Sequence, residues 1–435
     1  MTIPSAAELA AFLERLGAEA PATSDAERID QIRALEAVKS GAATAQARVT
    51  VEFNASQRAE QAAQGLPAKE QGRGVASQIA LARRDSPVKG SRHLGLAKAL
   101  VQQMPHTLAA LAAGEISEWR ATIMARETAV LDATHRSEVD AALTGRLGAL
   151  GDRGVEREAK KLAYRLDPGS VLRRTRGAIT HRRVSIRPAP DTMAYLTGFL
   201  PVAQGVAAHA SLSRHGDAAK AAGASRTRGQ IMADTLVERL TGQMRADAVS
   251  VEVNLIMTDS ALFTGDDTPA RLEGYGPVPA ALGRSLVTGS GSMADTAQVW
   301  VRRLFNRPDT GELVAMESRR RRFEGMLRRF LVIRDEVCRT PWCDAPVRHG
   351  DHVVPVARGG PTAAENGQGL CEACNQAKEA PGWSASASHT GPAPEISVVT
   401  PTGHAYASNA PPLPGSARLP ASPLEEKFAT LIAAA

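Results

Sequence analysis

Aromatic side chains make up only 4% of the 435 residues, and the whole chain holds four cysteines. So few cysteines exclude a disulfide-dense secreted framework. No stretch reaches the 18 or more apolar residues that a membrane span needs, so no membrane partner is expected. No G-x-G-x-x-G and no phosphate-cradling loop of the P-loop type is present, which argues against a nucleotide cofactor. The first twenty residues, MTIPSAAELAAFLERLGAEA, have no basic leader and carry Glu8, Glu14 and Arg15 within an apolar pattern. They read as an amphipathic helix rather than a signal peptide, and the expected location is the cytoplasm.

What the chain does have is ordinary for a multidomain protein: 43% hydrophobic residues, 23% charged and a formal net charge of +6. That excess permits a polyanionic partner without requiring one. Abundant alanine and arginine suit long helices with charged faces. Apolar residues recur at helical spacing from about 27 to 180. Between 183 and 305, strand-like alternation in RVSIRP, VSVEVNLIMT and AQVWVRRLF mixes with helical stretches near 200–213 and 226–243. The expected fold class is α+β, mainly α. A large helical domain with a small sheet (27–305) follows an N-terminal helix (1–26) and precedes a C-terminal module (315–383). Beyond Trp383 the Ser/Ala/Pro/Gly-rich composition of 384–435 reads as a flexible tail.

All four cysteines fall in one short window, Cys338 and Cys343 as C-x4-C, Cys371 and Cys374 as C-x2-C. Two such knuckles supply the four tetrahedral donors of a structural Zn2+. The metal would staple the ends of a segment too small to hold itself together by its core. Upstream, residues 315–340 hold eight arginines against four acids. Phe323, Met326, Leu327, Phe330, Leu331 and Ile333 mark one buried helix face. Arg319, Arg320, Arg321, Arg322, Arg328 and Arg329 are then candidates for phosphate contact. Lys378, after the second knuckle, is another, although a solvated helix face explains a lysine equally well.

Between the knuckles stands DHVVPVARGGPTAAEN, and CEACNQAK closes the segment. The pattern D-H-x-x-P-x-x-x-G-G-x-x-x-x-x-N followed by C-x-x-C-N-x-x-K resembles the HNH endonuclease family, over about 330–383. The resemblance implies a ββα-metal module that hydrolyses DNA phosphodiester bonds. It implies His352 as the base that activates water and Asn366 as the amide hydrogen-bonded to that imidazole. Asp351 and Asn375 are implied as ligands of a catalytic Mg2+ or Mn2+. Asn375 stands where the last histidine of the motif is common, and an amide oxygen with a carboxylate favours a hard cation. Because neighbours on a regular strand point to opposite faces, Asp351 and His352 can share a site only if the backbone bends between them.

The stretches RHLGLAKALVQQMPHTLAALAAGEISEWRA, VSIRPAPDTMAYLTGFLPV, RTRGQIMADTLVERL and LEGYGPVPAALGR resemble the uncharacterised, mostly helical domain that often precedes HNH modules in bacterial proteins. Two other function classes stay open at this point. One is a zinc-stabilised DNA-binding protein without catalysis, and the other an interaction protein carried by the helical domain. A homo-oligomer is compatible with all three.

Overall fold

The computed structural model describes residues 3–17, 24–242, 255–258, 260–288, 323–388 and 395–413. The chain divides into two compact units, Met1–Gly177 with Gln376–Gly382, and Ala178–Asn375 with Trp383–Ala435. The division falls inside the expected 27–305 domain, and the expected boundary near 305–315 lies outside the described residues.

The first unit is helical. Its described elements are α1 (Ala6–Gly17), α2 (Asp25–Ala63), α3 (Val75–Ala82), α4 (Pro87–Gln103), α5 (Pro105–Ala112), α6 (Glu118–Glu127), α7 (Ala133–Ala142), α8 (Asp152–Leu166) and the start of α9 (Pro168–Thr180). Ser24 caps α2, its hydroxyl accepting from Glu27 N, and Pro105 opens α5 at a position where no backbone donor is needed. The orphan donors of α5 are met from another helix: buried Asp140 of α7 accepts from His106 N (2.7 Å) and Thr107 N (2.9 Å). Leu100, Met104, Leu111, Met124, Val139, Leu143 and Val155 fill the core between these helices. α2 is unusual in burying Thr44, Asn54, Gln57 and Gln61. Gln57 pairs with Gln78 of α3 (3.1 Å), and Gln61 holds the backbone of Gly72 and Arg73.

The second unit starts with a hairpin, β1 (Arg183–Pro188) and β2 (Ala194–Phe199), then α10 (Val202–Ala221) and α11 (Arg228–Thr241). A small antiparallel sheet follows, β3 (Leu255–Ile256), β4 (Ala270–Leu272) and β5 (Gly276–Val278), and then α12 (Ala280–Thr288). Of the other anticipated strands, most of VSVEVNLIMT and all of AQVWVRRLF lie outside the described residues.

The C-terminal module comprises α13 (Gly325–Asp335), the hairpin β6 (His349–His352) and β7 (Gly367–Leu370), and α14 (Glu372–Ala377). Phe323, Leu327, Phe330, Leu331 and Ile333 build its core with Ala364 and Leu413, and Ile256 of β3 packs against them. Met326, assigned to the buried face from its spacing, is instead exposed. Close packing of α13 on the hairpin depends on Gly367, where an added Cβ would meet Phe323 at 2.7 Å.

The expectation of a flexible tail is corrected for the described part of 384–435. β8 (Ser384–Ser388), β9 (Glu395–Val399) and β10 (Ala405–Asn409) form an antiparallel sheet in the order β10-β9-β8. Small residues alternate there as SASAS and AYASN, so a period of two was present beneath a composition that looked like linker. The sheet is tied to the module: Arg339 Nη2 donates to Ser408 O (2.8 Å), and Trp342 meets Tyr406 edge to face at 6.0 Å.

Candidate active site

The four cysteines converge. Their sulfurs lie within 4.8 Å of one another, all buried, none in a disulfide. Cys343 Sγ is 3.6 Å from Cys371 Sγ and 3.6 Å from Cys374 Sγ. Four thiolates at about 2.3 Å from a tetrahedral Zn2+ stand about 3.8 Å apart, so the spacing fits that ion. The first knuckle is closed by Cys338 N donating to Ala345 O (2.8 Å), and in the second Cys374 N points to Cys371 Sγ (3.4 Å). Hydrogen bonding with Cys343 holds the Cys338 thiol down to about 7. Cys371 is held far below the usual thiol range by its bond to Cys338, while Cys343 and Cys374 are pushed far above it by their sulfur neighbours, Cys338 first. So many sulfurs cannot all ionise side by side without a cation among them.

β6 and β7 carry the Asp-His pair. Asp351 faces Gln368 and His352 faces Gly367 in an unbroken antiparallel register. The bend that a site shared by Asp351 and His352 requires is therefore absent, and strand alternation sends the two side chains to opposite faces of the hairpin. His352 lies on the face toward α13, its ring 4.7 Å from that of Phe323. Asp351 is on the other face, the one that carries Leu370, which packs with the four cysteines. Its Oδ2 is shielded from solvent, and so is Oδ1 of Asn375, the residue after Cys374. Asn375 Oδ1 has no hydrogen-bond partner among the described residues.

Asn366 does something other than the resemblance implied. Its Nδ2 donates to Val354 O (2.9 Å) and Pro361 O (2.8 Å), and its Oδ1 accepts from Val354 N (2.9 Å). Every polar atom of the carboxamide is thus spent on the loop after β6, and none on the imidazole. Gly360 belongs to the same brace, since a Cβ there would sit 1.9 Å from Val354 O. Among the described residues Thr362 meets His352, its Oγ1 sharing a hydrogen bond with Nε2 at 2.9 Å. A hydroxyl just after Gly-Gly-Pro was the only trace of that role in the sequence, and nothing local singles it out.

The arginines divide. Arg319, Arg320, Arg321 and Arg322 lie outside the described residues. Arg328 is exposed, with Nη2 donating to Arg348 O (3.2 Å). Arg329 is taken by Glu273, which accepts both of its terminal nitrogens (2.6 and 2.7 Å). In this conformation the guanidinium fork of Arg329 is filled by that carboxylate. Lys378 follows α14 and lies 3.2 Å from Glu379.

Two other arginines of the basic run are internal. Asp335, fully buried, accepts from Arg334 Nε (2.7 Å) and Nη2 (3.1 Å), Arg339 Nη1 (3.2 Å) and Gly369 N (2.6 Å). Arg334 also donates to Ala364 O and Gly367 O, both at 2.8 Å. The network locks α13 to β7 and to the loop that holds His352.

Among the described residues no helix is long and apolar enough to cross a membrane. Comparison with known families accounts for most of the chain. Residues 32–335 match the domain of unknown function DUF222, and residues 337–380 match the HNH endonuclease domain. No curated protein and no solved structure matches it. The first match ends at Asp335, although α13 within it supplies the core on which the β6–β7 hairpin rests. The chain belongs to the DUF222 family and carries an HNH endonuclease domain after it.

Proposed function

We propose that the C-terminal module is a metal-dependent endonuclease that hydrolyses phosphodiester bonds of DNA. The observation that carries the reading is the match of residues 337–380 to the HNH endonuclease domain, and a cation there is supported by the buried Oδ1 of Asn375, which has no hydrogen-bond partner among the described residues. Leaving a carboxamide oxygen buried and unmet costs about 1–3 kcal/mol, which a bound cation would recover. Asn375 and Asp351 supply hard oxygen donors, a set suited to Mg2+ or Mn2+ rather than to a second zinc. Such an ion, when bound, offsets the charge that grows on the phosphorane and the leaving oxygen.

His352 takes the proton of the attacking water. The hydrogen bond between Nε2 and Thr362 Oγ1 orients the imidazole for that transfer. Asn366 acts one step further out, fixing the loop that brings Thr362 to the ring. Arg328 and Lys378 contribute phosphate affinity, and Arg319, Arg320, Arg321 and Arg322 extend the same charged run. The cysteine site holds Zn2+ as a structural ion, in keeping with reduced thiols and a cytoplasmic protein.

A second reading, a DNA-binding module without catalysis, is favoured by one feature: Asp351 and His352 on opposite faces of an unbroken ladder. Supercoiled plasmid incubated with purified protein and Mg2+ or Mn2+ separates the two. Nicked or linear product that disappears in His352→Ala supports hydrolysis. Binding with no product in any divalent metal supports the second reading.

A further inference from the structure

The β1–β2 hairpin is solvent-exposed along its whole length on both faces, so it adds nothing to a core. Its cross-strand partners are Arg183 with Phe199, Ser185 with Thr197 and Arg187 with Tyr195 on one face. Val184, Ile186 and Leu196 lie on the other. The first face is thus a row of two guanidiniums, two hydroxyls and two rings. The Arg187 guanidinium carbon stands 4.2 Å from the Tyr195 ring centre, and that of Arg183 stands 5.0 Å from the Phe199 ring. Each arginine is pinned on a ring, and less rotamer freedom is lost when its N–H groups engage an anion.

The surrounding sequence is one-sided in charge. From Pro168 to Gly216 there are seven arginines, and Asp191 is the only acid. Asp191 sits at the tip, where it and Thr192 adopt left-handed backbone (φ 59° and 58°), as a two-residue turn matching the strand twist requires. Tyr275 Oη donates to Ala189 O (3.0 Å), holding the ribbon to the turn between β4 and β5.

We propose that this ribbon is a second DNA-contacting element outside the HNH domain, with Arg183 and Arg187 on the phosphates of a duplex. A two-stranded ribbon has the width that the major groove admits, and six-residue strands span about 20 Å along it. The bases of a single strand would need the ring faces for stacking, and a guanidinium covers one face of each ring. The apolar face takes no part. The inference rests on the reading that the protein's substrate is DNA, and it gives the DUF222 part of the chain a role in holding that substrate.

The test is fluorescence anisotropy of a short labelled duplex with the full-length, zinc-loaded protein, from about 50 to 200 mM salt. Arg183→Gln with Arg187→Gln should weaken binding across sequences and lower the slope of log affinity against log salt by about two, one per phosphate released. The double lysine variant should keep the wild-type slope. Both residues are exposed, and an unchanged zinc content and circular dichroism spectrum will show that the fold is intact. If wild type binds duplex and the glutamine variant keeps its slope, the ribbon proposal is overturned while the DNA reading stands. If wild type does not bind duplex at all, the DNA reading fails and takes the ribbon with it. A ribbon-dependent preference for single strands would overturn the duplex assignment.

Discussion

Replacing Asp335 by alanine should unfold the HNH module under conditions that leave the first helical unit intact. The carboxylate is fully buried and takes three guanidinium hydrogens and one amide. Its loss strands Arg334 and Arg339 inside the protein. Breaking a buried ion pair from one side costs about 3–5 kcal/mol, and the Gly369 N–H left behind adds about 1–3. Such contributions overlap, so about 4 kcal/mol is the working figure, against about 5–15 for a whole domain. It corresponds to about a thousandfold shift in the folding equilibrium. Urea unfolding followed by tryptophan fluorescence, with zinc content in parallel, reads this out. The triple variant Arg334→Met, Asp335→Leu, Arg339→Met should lose much less, because no buried charge remains unpaired. A loss below about 1 kcal/mol for Asp335→Ala, with zinc retained, would refute the reasoning.

Other expectations follow from the same geometry. Zinc retention should fall as pH drops, because protons compete with the ion for the four thiolates; a chromogenic chelator across pH 5–9 would show this, and pH-independent release would contradict it. Thr362→Val should lower kcat for DNA cleavage about tenfold or more with KM little changed, while Thr362→Ser keeps most activity. Arg328→Gln should reduce the salt slope of DNA binding by about one, whereas Arg329→Gln should leave it unchanged because Glu273 already holds that side chain. Asp140→Ala should cost the first unit about 2 kcal/mol, measurable by thermal unfolding, because the N–H groups of His106 and of buried Thr107 lose their acceptor.

The sequence carried the cysteine cluster plainly, because a four-ligand metal site leaves its spacing in the chain. The helical character of about 27–180 and the strand of Arg183–Pro188 were legible through their periodicity. Arg334 and Arg339 were not, since a run of arginines reads as a solvated face until a buried carboxylate is seen among them. The sheet of β8 to β10 was hidden because serine and alanine mark linkers and edge strands alike, and only its pairing tells them apart. Asn366 stands out in the motif, but its partners are Val354 and Pro361. An asparagine that meets a loop backbone and one that meets an imidazole look the same in sequence, and Thr362 gave no signal of its own.

The proposed endonuclease activity requires a divalent cation at Asp351 and Asn375 and a proton acceptor at His352, and the β6–β7 ladder holds Asp351 and His352 on opposite faces in this conformation. Its most direct test is cleavage of a defined duplex by wild type, His352→Ala and Asn375→Ala in Mn2+, with bound zinc and DNA affinity measured on the same samples. Wild type alone should cleave, with zinc content and affinity equal in all three. Cleavage by His352→Ala at the wild-type rate, or none by wild type in Mn2+ or Mg2+, would contradict it.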